Sequence, residues 1–148
     1  MTAASNNSCN PQLSSSYCTP EVEIDISHDL TTYYSLHALC DSGAEISVIP
    51  LKLLPEELKC FVSSTGRTLT GVGGNSEVVG EIYLNVRFSN ESNYKLNSKM
   101  LFLVNAGPSS SVLLGQNILY TEFNYWYFSP NRKYVLFCLI CRSVNFLL

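Results

Sequence analysis

From Glu21 onward the chain alternates apolar and polar residues with a period of two. In EVEIDIS, Val22, Ile24 and Ile26 share one face and Glu21, Glu23 and Asp25 the other, which predicts a half-buried strand with its carboxylates facing out. TYYSLHALC predicts a second strand running into Asp-Ser-Gly, and EISVIP a short third. LKLLPEEL fits either a loop or a single helical turn. Further on, Val78, Gly80, Ile82, Leu84, Val86 and Phe88 keep one parity, so this stretch reads as a long strand, with GVGGN before it as a flexible hairpin tip. YKLNSKMLFLV and SVLL add two more strands, GQNILYTEF one or two helical turns, and NYWYFSPNRKYVLF a hairpin around residues 129–132. Many short strands and little helix predict an all-β domain, sandwich-like or barrel-like.

The length of 148 residues suits one domain with a real core. Residues 1–20 are rich in Ser, Asn and Thr and read as a flexible arm. Residues 21–140 carry the strand pattern, and 141–148 form an apolar tail. With 46% apolar and 14% charged residues the chain is globular rather than disordered. The net charge is only -3 and the nine Lys and Arg are scattered, apart from Arg132-Lys133, so no nucleic-acid partner is expected. The N-terminus has no apolar run of the signal-peptide kind. The six cysteines are therefore expected as free thiols of an intracellular, cytoplasmic chain. Cys138 and Cys141 have CxxC spacing but lack a second ligand pair, so they read as buried thiols, with no metal and no cofactor expected. The greasy KYVLFCLICRSVNFLL is broken by Arg142 and Asn145 and reads as a buried or paired strand rather than a membrane anchor.

The chemistry concentrates at one aspartate. Of Asp25, Asp29 and Asp41, only Asp41 follows an apolar strand and precedes small residues, Ser42-Gly43-Ala44. A carboxylate leaving the core needs hydrogen bonds, and small neighbours let backbone N–H groups reach it. Asp-Ser-Gly alone is most often an ordinary turn. No GxSxG elbow is present, His28 and His37 lack a nucleophile or ligand partner in sequence, and Cys40 reads as a packing residue that would at most make Asp41 oxidation-sensitive.

In its setting, LHALCDSGAEISVIP resembles the active-site segment of retroviral-type aspartic proteases, the retropepsins, and most of all those encoded by retrotransposons. Gly71, Val72, Gly73 and Gly74, some thirty residues on, resemble that family's flap tip. Leu113, Leu114, Gly115, Gln116 and Asn117 resemble its second signature, an apolar pair, a glycine and a polar pair opening a short helix. The three motifs occur in family order over roughly residues 21–137. The resemblance implies a closed, barrel-like fold with one short helix near the C-terminus, active as a symmetric homodimer. It implies an aspartic endopeptidase cutting polypeptide, such as its own polyprotein, in the cytoplasm or within a retroelement particle.

The resemblance also assigns roles. Asp41 would be catalytic, with Ser42 and Gly43 supporting it and Ser42 bonding across the two-fold axis. Ala44, Glu45 and the flap residues would hold the peptide. Since the chain carries one such motif, and neither Asp25 nor Asp29 precedes Ser/Thr-Gly, the second carboxylate would come from a second copy. Two departures stand out. Where the family often has an Asp–Arg ion pair, this chain has Glu45 and Gln116, for which a weaker Glu–Gln hydrogen bond is expected. The segment 134–148 runs past the family's usual end, where a terminal strand helps form the dimer sheet. The alternative reading is an inactive or domesticated dimeric module that binds peptide or acts as a scaffold.

Overall fold

The computed structural model describes residues 21–71, 74–88, 96 and 98–120 in full, and the backbone of 94–95, 123–128, 134–138 and 145–147. The arm 1–20, the hairpin tip Val72-Gly73, the turn at 129–132 and Cys141 lie outside the described residues.

Six strands close into a barrel. β1 (Glu21–Ser27) pairs antiparallel with β2 (Tyr34–Cys40) on one side and with β6 (Val78–Phe88) on the other. β6 pairs antiparallel with β8 (Met100–Asn105), β8 runs parallel to β3 (Ser47–Pro50), and β9 (Val112–Leu114) lies between β3 and β2. The order β1-β2-β9-β3-β8-β6 returns to β1, and β7 (Tyr94–Lys95) adds to the β6 edge. Closure gives each of the six strands a hydrogen-bonded neighbour on both sides along part of its length. The all-β, barrel-like expectation holds.

The parity of the sequence decides the core. Ile24, Ile26, Ile82, Leu84, Val86, Phe88, Phe102 and Val104 are all buried, each side chain contributing about 1.5–3 kcal/mol on removal from water. The ambiguous LKLLPEEL resolves into two single turns, a 3-10 turn at Leu51–Leu53 and α1 (Glu56–Lys59), with Leu54 and Leu58 pointing inward. GQNILYTEF yields one turn, α2 (Gln116–Leu119). β4 (Leu69–Gly71) and β5 (Gly74–Ser76) form the hairpin expected around GVGGN, with Gly74 at φ 104, a backbone region that glycine occupies freely. Among the described residues no helix is long and apolar enough to cross a membrane.

One strand departs from its pattern. Asp25, expected on the polar face, is only 4% exposed. Alternation marks which residues point into the barrel, but β1 is flanked on both sides, and its neighbours cover the outer face here. Opposite Asp25 stand Ser35 on β2 and Arg87 on β6. The Ser35 hydroxyl donates to Asp25 Oδ1 (2.6 Å) and Arg87 Nε to Oδ2 (2.8 Å), while the guanidinium lies 3.8 Å from the centre of the Tyr33 ring. A buried carboxylate is tolerated because both oxygens have donors.

The chain's end forms a separate antiparallel sheet of β10 (Phe123–Phe128), β11 (Tyr134–Cys138) and β12 (Asn145–Leu147). The expected hairpin is therefore present, and the greasy tail is paired, Val135 against Leu147 and Leu136 against Phe146.

Candidate active site

Asp41 leaves the end of β2, and the loop 41–46 carries the chain across to β3. Because β9 lies between β2 and β3, this loop must lap over the end of β9. Its backbone is fastened there. The Asp41 N–H donates to the Leu114 carbonyl (2.9 Å), continuing the β2–β9 pairing by one residue. The Gln116 N–H donates to the Ala44 carbonyl (2.7 Å) and the Asn117 N–H to the Glu45 carbonyl (3.2 Å). These two N–H groups belong to the first turn of α2, where a helix has no internal acceptor for them. The loop and the turn thus satisfy each other.

The half-buried Asp41 carboxylate is oriented from within the loop, since Oδ1 accepts the Gly43 N–H at 2.9 Å. The Ala44 N–H closes the turn on the Asp41 carbonyl (3.2 Å). Gly115 makes the close approach possible. A Cβ there would stand 2.7 Å from the Ala44 oxygen and 2.7 Å from the Ile46 carbonyl carbon.

A residue to which the motifs assign no role ties the site together. Ser47 is fully buried on β3. Its hydroxyl donates to Asn117 Oδ1 (2.8 Å) and accepts the Gly115 N–H (2.9 Å), while its own N–H donates to the same Asn117 oxygen (2.9 Å). Asn117 Nδ2 donates to the Leu101 carbonyl on β8 (2.9 Å). One amide therefore locks β3, β8 and the β9–α2 joint. The signal for Ser47 was its hydroxyl amid ISVIP, which a buried parity obliges to find a partner. Replacing Asn117 by Ala removes the partner of two buried groups on Ser47 and one on Leu101. We expect a loss of about 2 kcal/mol in urea unfolding.

The expected Glu45–Gln116 hydrogen bond is not what the structure shows. Gln116 Nε2 donates to the Ser42 carbonyl at 2.8 Å, and Glu45 is exposed. The amide reaches back along the loop because the loop backbone passes directly over α2, while the Glu45 side chain leaves that surface toward solvent. Cys40 is buried, and burial alone pushes its thiol up to about 12, so it stays protonated. That opposes the idea of oxidation sensitivity through this residue.

Beside the loop opens a cleft of about 600 Å³, lined by residues 43–46 on one side, residues 66–70 leading into the β4–β5 hairpin on the other, and Leu103. It brings Gly43, Ala44 and Glu45 against the hairpin's approach. Gly71 and Gly74 pair at the far end of that hairpin, beyond the cleft lining. Glu81 anchors the approach, accepting from the Thr65 hydroxyl (2.7 Å) and Arg67 Nε (3.3 Å). Leu113 and Leu114 form β9 itself. Among the described residues no three His, Cys, Asp or Glu side chains gather as metal ligands would.

A family model, retroviral aspartyl protease, matches residues 17–122. The chain belongs to the retroviral aspartyl protease family. The matched span covers the Asp-Ser-Gly loop, the hairpin and the β9–α2 signature together. Among solved structures the chain is similar to EIAV protease complexed with the inhibitor HBY-793, at 22% identity and a TM-score of 0.51, covering 81% of this chain and 92% of that one. That likeness independently supports the barrel. No curated protein sequence matches significantly.

Proposed function

We propose that the protein is an aspartic endopeptidase of retroelement type, and that its active site is completed by two copies of Asp41, one from each subunit of a symmetric dimer. The observation that supports this most is the single Asp-Ser-Gly loop, its carboxylate oriented by Gly43 and its backbone fixed to the β9–α2 joint, beside an open cleft. One carboxylate alone cannot act as both acid and base in the same step, and the chain has no second motif.

In the proposed reaction two carboxyl groups held close share one proton and titrate as a pair. The ionised one takes a proton from water as the water oxygen attacks the peptide carbonyl carbon. The protonated one donates to the carbonyl oxygen. The tetrahedral species collapses as the amine leaves with a proton, and no covalent intermediate forms. The peptide lies extended in the cleft, its backbone paired and alternate side chains facing Ala44 and Glu45 or the hairpin approach. The β4–β5 hairpin closes over it and excludes water. Ser42 bonds across the two-fold axis. Without the Arg–carboxylate fork, and with Gln116 turned to the Ser42 carbonyl of its own chain, the dimer is weaker at this point than in relatives that keep the fork.

The test is cleavage of a library of unstructured peptides at mildly acidic pH, with and without a statine-containing peptide whose hydroxyl mimics the tetrahedral species. We expect cleavage that the mimic abolishes and that thiol and serine reagents leave intact. Neither cleavage nor binding of the mimic would favour the scaffold reading.

A further inference from the structure

A second concavity lies at the opposite end of the β1–β2 hairpin from Asp41. The pair Glu21–Leu39 stands beside Asp41, whereas Ile26–Tyr34 stands at the turn. Here a cleft of about 260 Å³ is lined by His28, Tyr34 and Phe61, by the acidic Asp29 and Glu57, and by Thr32 and the buried Leu58. The His28 ring stacks on Phe61 at 3.5 Å and 12°, yet Phe61 stays 46% exposed.

Both carboxylates act on the same space. Asp29 is held by the N–H groups of Thr32 and Thr31, each at 2.9 Å, which keep its carboxyl well below the usual range and so ionised. Burial, followed by the charges of Glu57 and Asp29, raises the Tyr34 hydroxyl, so the two fields converge on one wall of the cleft. Lys59, the basic residue nearest Glu57 in sequence, is engaged with Glu56 at 2.6 Å. Aromatic residues and carboxylates with no ion-pair partner among the described residues, set around one concavity, repel anions. They favour a cation whose body can lie on an aromatic surface.

We propose that this cleft is a docking site for a basic side chain of a partner polypeptide, arginine ahead of lysine, independent of the peptidase site. A guanidinium stacks flat on an aromatic ring while its edge forks to a carboxylate, which the compact lysine ammonium does less well.

The experiment titrates the full chain at pH 7.5 with acetyl-Gly-Arg-Gly-amide and its lysine and citrulline counterparts, following the ring and amide NMR signals of His28, Glu57 and Phe61. Citrulline keeps the shape of arginine and removes the charge. We expect the arginine peptide to saturate these signals about tenfold more tightly than citrulline, since both the ion pair and the cation–aromatic contact are lost. Glu57→Gln, at an exposed position, is expected to weaken arginine about threefold and leave citrulline unchanged. Equal binding of arginine and citrulline, signal changes confined to the cleft beside Gly43, or no response at millimolar peptide would each overturn the proposal.

Discussion

Asp41→Asn is expected to lower peptide cleavage by at least about a thousandfold while the protein folds as before. The side chain's structural task is to accept the Gly43 N–H through Oδ1 at 2.9 Å, and an asparagine oxygen does this equally well. Asparagine can neither take a proton from water nor share one with a second carboxyl. Unfolding free energy should therefore stay within about 1 kcal/mol of the parent, so that loss of cleavage reports the chemistry and not the fold. Retained cleavage by this variant would remove Asp41 from the mechanism.

The second large effect is expected at Gly115. Its backbone, φ -94 and ψ -173, is open to any residue, so nothing conformational demands glycine. What demands it is space. An alanine Cβ would meet the Ala44 oxygen at 2.7 Å and the Ile46 carbonyl group at 2.7 and 2.9 Å, and these are main-chain atoms that cannot rotate aside. Gly115→Ala must push the loop 41–46 off α2, stretching the Gln116–Ala44 and Asn117–Glu45 bonds. We expect a loss of about 3 kcal/mol on thermal or urea unfolding, together with a fall in cleavage, because the displaced loop carries Asp41. Gly66→Ala is the control: nothing among the described residues lies within 4 Å of its Cβ position, and stability should change by less than about 0.5 kcal/mol.

The strands were legible because a barrel wall has one face inward, and side-chain parity records which. That is why the sequence alone places Ile82, Leu84, Val86 and Phe88 on one inward face. Parity could not say whether the strands close into a barrel or stack as a sandwich. Closure rests on β1 pairing with β6, sixty residues away, and no local pattern encodes that contact. The same blindness hid Asp25. Its burial comes from Arg87 and Ser35 on flanking strands, partners that have no sequence proximity to it.

The candidate site was legible as three motifs, and the structure shows what joins them. Asp41 meets Leu114 through a strand pairing, and the Ala44 carbonyl meets α2 through the free N–H groups of a helix start. Ser47 was missed because a lone serine in an apolar run reads as filler until its partner, Asn117, is brought beside it from seventy residues away. Gln116 was assigned to the wrong acceptor for a related reason. Sequence pairs it with a charged residue by analogy, whereas geometry offers the nearer Ser42 carbonyl at 2.8 Å.

The central claim is that each active site needs Asp41 from two chains. The most direct measurement holds the parent chain at a fixed concentration, high enough for specific activity to have levelled off, and adds the Asp41→Asn chain in increasing amounts with time to exchange. If subunits share the site, parent chains are drawn into mixed dimers with one carboxylate, and activity should fall to about half at equal amounts and keep falling with excess. Activity that stays constant across the titration, with a monomeric mass in solution, would contradict the account.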